Sequence, residues 1–102
     1  SDKNIKGKTI FLDGKSKSVI LKNRIVVIEN ADPGFDWIFS KGVKGLITKF
    51  GGVNSHMSIR CEELNIPAII GLGEDNFRKL EDNTIINIDC KLQKINIGEL
   101  KD

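Results

Sequence analysis

Four consecutive β-branched residues, Ile25-Val26-Val27-Ile28, stand between Arg24 and Glu29 with no polar residue among them. A strand with one wet face alternates polar and apolar residues, whereas an unbroken apolar run suits a strand covered on both faces. The chain is therefore expected to build a layered α/β domain with this strand at the centre of its sheet. With 102 residues, 39% of them apolar and 29% charged, it has material for one modest core and one domain, residues 1–102, and it is too apolar to remain disordered.

The segments around the central strand follow from their punctuation. Residues 8–12 (Lys8-Thr9-Ile10-Phe11-Leu12) read as a strand, and Asp13-Gly14 as a turn into a second strand at residues 18–21, which would make an opening hairpin. Pro33-Gly34 breaks the chain after the central strand. A short helix over 35–40 is expected next, ending at Gly42, followed by a strand over 43–49 that Gly51-Gly52 terminates. From Ser55 to about Asn65 the apolar residues Met57, Cys61 and Leu64 recur at i, i+4 and i+7, one face of a helix that Pro67 must end. Residues 67–71 read as a short buried strand, 75–80 as a helical turn, and 84–89 and 94–97 as two further strands. Short strands with few helices and no strict alternation predict a compact mixed sheet.

Several function classes are poorly served by this composition. No apolar run approaches the ~20 residues of a membrane helix, and no apolar stretch of a signal peptide follows Ser1, so a cytoplasmic protein is expected. The one methionine is Met57, and the expectation is a segment excised from a longer protein. Cys61 and Cys90 form no Cys-x-x-Cys unit and read as reduced, buried thiols, not a disulfide scaffold or a zinc site. Net charge is +2, and the basic residues of the first half are scattered, with Phe11 the only aromatic among them, so no nucleic-acid surface is expected. Gly7-Lys8-Thr9 lacks the first glycine of a phosphate-binding P-loop, and Gly71-x-Gly73 lacks the third glycine of a dinucleotide fingerprint. The adjacent Glu62 and Glu63 diverge on a helix and read as a solvated face, and His56 and Cys61 point about 140° apart around a helix axis.

Chemistry concentrates in Gly51-Gly52-Val53-Asn54-Ser55-His56, between a strand and a helix start. Two glycines let the backbone turn sharply and bring bare N–H groups close to a ligand, while the first turn of a helix offers unpaired donors and the positive end of the macrodipole. Such a place favours an anion. Imidazole, with an ordinary pKa near ~6.5, offers a neutral, nucleophilic nitrogen at cell pH and can take and surrender a phosphoryl group. A histidine that caps the helix or satisfies a core hydrogen bond is the competing reading, and the residues alone leave the two about even.

The run Gly51-Gly52-Val53-Asn54-Ser55-His56-Met57-Ser58-Ile59, followed by Leu64-Asn65-Ile66-Pro67-Ala68-Ile69-Ile70-Gly71, resembles the active-site signature of the phosphoenolpyruvate-utilising mobile domain. That domain occurs in phosphoenolpyruvate synthase, pyruvate phosphate dikinase, enzyme I of the sugar phosphotransferase system and rifampicin phosphotransferase. Residues 31–34 and 45–48 also fit, so the resemblance covers most of the chain from Val26 onward. It implies a swivelling β/β/α domain in which His56 is the phosphohistidine carrier, with Asn54 and Ser55 as catalytic neighbours and Gly51 and Gly52 shaping a phosphate-binding loop. It implies no metal or cofactor in the domain itself. Mg²⁺ and ATP or phosphoenolpyruvate would bind partner domains, namely an ATP-grasp domain as donor and a pyruvate/phosphoenolpyruvate or other acceptor domain. An enzyme I-like domain and a non-catalytic interdomain module are the alternatives. Two positions depart from the family pattern: Asn54 stands where many members have threonine, and Glu62 where they have arginine, leaving Arg60 as the nearby cation.

Overall fold

The computed structural model describes residues 4–12, 20–30, 33–51, 56–92 and 94–97, with the side chains of 33, 34, 96 and 97 left out of the description. Six strands form one mixed sheet: β1 (Asn4–Phe11), β2 (Arg24–Asn30), β3 (Gly45–Phe50), β4 (Ala68–Ile69), β5 (Ile85–Asp89) and β6 (Lys94–Ile97). Their spatial order is β4-β3-β2-β1-β5-β6. The first four run parallel, while β5 is antiparallel to β1 and β6 to β5. A 3-10 helix (Pro33–Ser40) joins β2 to β3, helix α1 (His56–Glu63) lies between β3 and β4, and a single turn, α2 (Glu74–Phe77), follows β4.

The central strand behaves as its sequence dictates. Successive side chains of a strand point to opposite faces, and β2 sends Ile25 and Val27 into one apolar cluster and Val26 and Ile28 into another. All four are at most 1% exposed. The first cluster adds Ile47, Ile69, Leu80, Ile86 and Ile88 and is flanked by Phe77 of α2. The second adds Leu46, Ile38 of the 3-10 helix, and Met57 and Cys61 of α1, with Phe35, Trp37 and Phe39 packed at its margin. Cys61 and Cys90 are both buried, and neither is in a disulfide.

Three expectations are corrected. The opening hairpin does not form around β1, because both sides of that strand are already occupied: Lys8–Phe11 pair with Arg24–Val27 of β2, and Asn4–Lys8 pair with β5. Residues 13–19 lie outside the described residues, and Ile20 and Leu21 are not in a strand. Leu64 does not complete the buried face of α1 and is 43% exposed. The helix ends one residue earlier, since Asn65 takes φ 58 and the amides of Asn65 and Ile66 return to the carbonyls of Glu62 and Cys61. This is a Schellman closure with asparagine at the left-handed position. It turns Leu64 outward, and Ile66 packs on the core in its place. The strand expected over 67–71 shortens to Ala68–Ile69, because at Gly71 the chain adopts φ 77 and leaves the sheet.

Candidate functional site

His56 is the first residue of α1, at the end of the connection leaving the carboxyl end of β3. The site is built by two flanking segments. Met57 and Cys61 anchor α1 to the second core cluster, and Ile38 anchors the 3-10 helix to the same cluster. The 3-10 helix has three residues per turn, so Asp36 and Phe39 lie on one side of it. Residues four apart on an α-helix are also neighbours, which puts His56 and Arg60 on one side of α1.

These two pairs face each other. Asp36 meets Nε2 of His56 with both carboxylate oxygens, Oδ2 at 2.7 Å and Oδ1 at 2.9 Å. The guanidinium of Arg60 lies over the ring of Phe39, 5.6 Å from its centroid. Arg60 also donates weakly to Glu63 at 3.4 Å. The side chains of His56 and Asp36 are 46% and 45% exposed. An exposed ion pair contributes only about 0–1 kcal/mol to stability, so the main effect of this contact is to orient the ring. A carboxylate can only accept from the ring, so the geometry puts a proton on Nε2 in the contact state.

Of the residues singled out by sequence, His56 and Gly51 are described, and both are exposed. Gly51 adopts φ 133, within the range that glycine alone enters readily. Gly52, Asn54 and Ser55 lie outside the described residues. Sequence reading passed over Asp36, which sits inside Phe35-Asp36-Trp37-Ile38-Phe39, within the short helix expected over 35–40. A carboxylate isolated among five positions of otherwise apolar side chains was the available signal. Among the described residues, no group of three or more His, Cys, Asp or Glu side chains could hold a metal ion, and no helix is long and apolar enough to cross a membrane.

The buried thiol of Cys61, on the same helix as His56, is chemically quiet. Burial pushes the Cys61 thiol up to about 12, with Cys90 adding to the effect, so Cys61 is no nucleophile at neutral pH.

The arrangement is thus an α/β domain that presents one imidazole, oriented by a carboxylate, at a glycine-marked strand-to-helix junction. Residues 20–92 match the family described as "PEP-utilising enzyme, mobile domain", and the chain belongs to that family. It is 32% identical over 81 residues to a phosphoenolpyruvate synthase of Aeropyrum pernix, covering 78% of this chain and 10% of the relative. It is 30% identical over 90 residues to the phosphoenolpyruvate synthase of Aquifex aeolicus, covering 87% and 10% respectively. The chain therefore spans about a tenth of the length of these curated relatives. In architecture it resembles the solution structure of an Enzyme I protein, with a TM-score of 0.63 at 21% identity over 85% of this chain and 34% of the other. That likeness concerns the fold.

Proposed function

We propose that His56 carries a phosphoryl group between two sites on other domains of a parent phosphotransferase. A lone pair on the imidazole attacks the phosphorus of a donor in line. The nitrogen–phosphorus bond forms as the bond from phosphorus to the leaving oxygen breaks, and the bonding electrons depart with that oxygen. Attack leaves positive charge on the ring, and the carboxylate of Asp36 compensates it. Transfer onward reverses these events with an acceptor oxygen in place of the donor. Asp36 acts as an orienting and charge-compensating group throughout, as a carboxylate behind a reacting histidine commonly does.

The observation that carries this reading is the contact between Asp36 and Nε2 of His56, 2.7 Å, made by a ring still 46% exposed. A histidine kept for packing would be buried, and one kept as a helix cap would not need a carboxylate on its outer nitrogen. The family membership of residues 20–92 supports the same conclusion. Asn54, Ser55 and Gly52, together with Gly51, are the proposed holders of the phosphoryl oxygens, through side-chain donors and the backbone amides of the loop and helix start.

The relatives named phosphoenolpyruvate synthase support phosphoenolpyruvate at the acceptor site; pyruvate there, and ATP and Mg²⁺ on a separate ATP-grasp donor domain in the cytoplasm, are part of the same proposal. The chain alone is then catalytically incomplete. An enzyme I-like arrangement, with phosphoenolpyruvate as donor, is the rival within the same chemistry, and the presence of an ATP-grasp region in the parent chain discriminates against it.

The test is to incubate the parent protein with a donor labelled on the transferred phosphoryl group. Because His56 is the single histidine of this chain, label should appear there in an acid-labile, base-stable bond. Label that persists in this segment after His56→Ala would identify another residue as the carrier.

A further inference from the structure

Two glycines on different strand exits touch through their backbones. After β4 the chain passes alongside the end of β3, where the amide of Gly71 donates to the hydroxyl of Thr48 at 2.9 Å. The amide of Leu72 donates to the Thr48 carbonyl at 2.9 Å and that of Gly73 to the Lys49 carbonyl at 3.0 Å. Thr48 is fully buried, so its hydroxyl is a fixed peg for this segment. Gly71 adopts φ 77, and a Cβ built on it would stand 2.5 Å from the carbonyl oxygen of Gly51. That oxygen belongs to the backbone and cannot rotate away as a side-chain tip could. Gly51 in turn is the first residue of the connection that ends at His56.

From this contact we infer that Gly71 is a positioning residue for the histidine loop: its bare Cα sets where Gly51 leaves β3, and thereby where His56 presents its ring. The inference deepens the phosphocarrier reading and rests on it for its consequence in rate, though not for its consequence in geometry. Gly73 provides a matched control. It also has a positive φ, 92, but a Cβ there would meet nothing within 4 Å. Alanine at either position carries backbone strain, and only alanine at 71 displaces Gly51.

The experiment compares Gly71→Ala and Gly73→Ala in this chain by two measurements. The first is the rate at which phosphoramidate, a small donor that releases ammonia as phosphorus passes to the ring nitrogen, labels His56. The second is the set of His56 ring and amide resonances. Misplacement of a reacting group by about 1 Å can slow a reaction on the order of a hundredfold, and the expectation for Gly71→Ala is labelling slower by roughly tenfold or more, with displaced His56 resonances. For Gly73→Ala the rate should stay within about twofold and the resonances unmoved. Equal effects of the two variants would overturn the inference. A wild-type chain that takes no label at all would count against the carrier reading, while the resonances still decide the role of Gly71. Should Gly71→Ala fail to fold, Thr48→Val takes its place, since it frees the Gly71 amide without adding a Cβ, and Thr48→Ser is the rescue. Displaced His56 resonances in the valine variant, restored in the serine variant, support the inference, and unmoved resonances in the valine variant refute it.

Discussion

Asp36 and His56 come from segments twenty residues apart and meet with Nε2 2.7 Å from Oδ2, one supplied by a 3-10 helix and the other by the start of α1. Neither element would hold its residue in place alone. Ile38 and Met57, both fully buried in one apolar cluster, bring the two backbones together, and the polar pair forms at the exposed margin of that contact.

Replacing Asp36 removes the orientation of the ring while leaving the core alone. Outer-shell partners of a functional histidine are typically worth about 10–100-fold in activity, so Asp36→Ala and Asp36→Asn should slow phosphorylation of His56 by roughly that factor. Thermal stability should change by less than about 1 kcal/mol, because the pair is exposed. The ¹⁵N resonance of Nε2 should shift in Asp36→Ala while the backbone spectrum stays dispersed. A normal labelling rate in both variants would remove Asp36 from the mechanism.

Arg60 stands one turn along α1 from His56, resting on Phe39. Its hold on Glu63 is long, 3.4 Å, with the two side chains 38% and 60% exposed. The guanidinium is therefore free to turn toward negative charge gathered at the helix start. Arg60→Ala should lower the labelling rate several-fold while shifting stability by no more than about 0.5 kcal/mol, and Arg60→Lys should recover most of the rate. Indistinguishable rates for arginine, lysine and alanine would show that this cation plays no part.

Met57 couples the histidine to the core. It is fully buried next to His56 on α1, and truncating a buried methionine typically costs about 2–5 kcal/mol. Met57→Ala should therefore lower the denaturation midpoint substantially, whereas Met57→Leu, which conserves volume, should cost less than about 1.5 kcal/mol. Urea titration of the three proteins checks this, and equal midpoints for alanine and leucine would contradict it.

The buried thiol of Cys61 predicts alkaline sensitivity of known sign. Its pKa rises from 9.0 to about 12 on folding, so between those values the unfolded chain has lost this proton and the folded chain still holds it. Fewer protons on the unfolded state mean that stability falls as pH rises through this window, by at most about 1.4 kcal/mol per pH unit for one group. Below pH 9 the contribution of this thiol to stability is fully present. Denaturant titrations at pH 8 and pH 10.5 should show a smaller loss in Cys61→Ala than in wild type. The native thiol should also resist alkylation at neutral pH.

Legibility in the sequence tracked the range of the interactions. β2 could be read from four adjacent residues because burial on both faces leaves a local mark, and Ile25 to Ile28 do divide between two cores. The strand-to-helix junction at Gly51 and His56 was equally local. The partners of β1 were not, because a hairpin signal at Asp13-Gly14 competes with pairing to residues 24–27 and 85–89, and nothing within residues 8–21 reports on those distant segments. Leu64 fitted the helical period but falls one residue past the end of α1, immediately before Asn65, whose left-handed φ closes the helix and was not anticipated from the apolar spacing.

Composition and spacing determined the class of fold and the central strand, since each depends on residues within a turn or two of one another, and they marked His56 as a candidate that the resemblance of residues 51–71 to a known family then singled out. The tertiary structure decided that Asp36 faces His56 and that Gly71 abuts Gly51. Both contacts require chain segments some twenty residues apart to be folded against the same sheet, and no local preference of the chain encodes that approach.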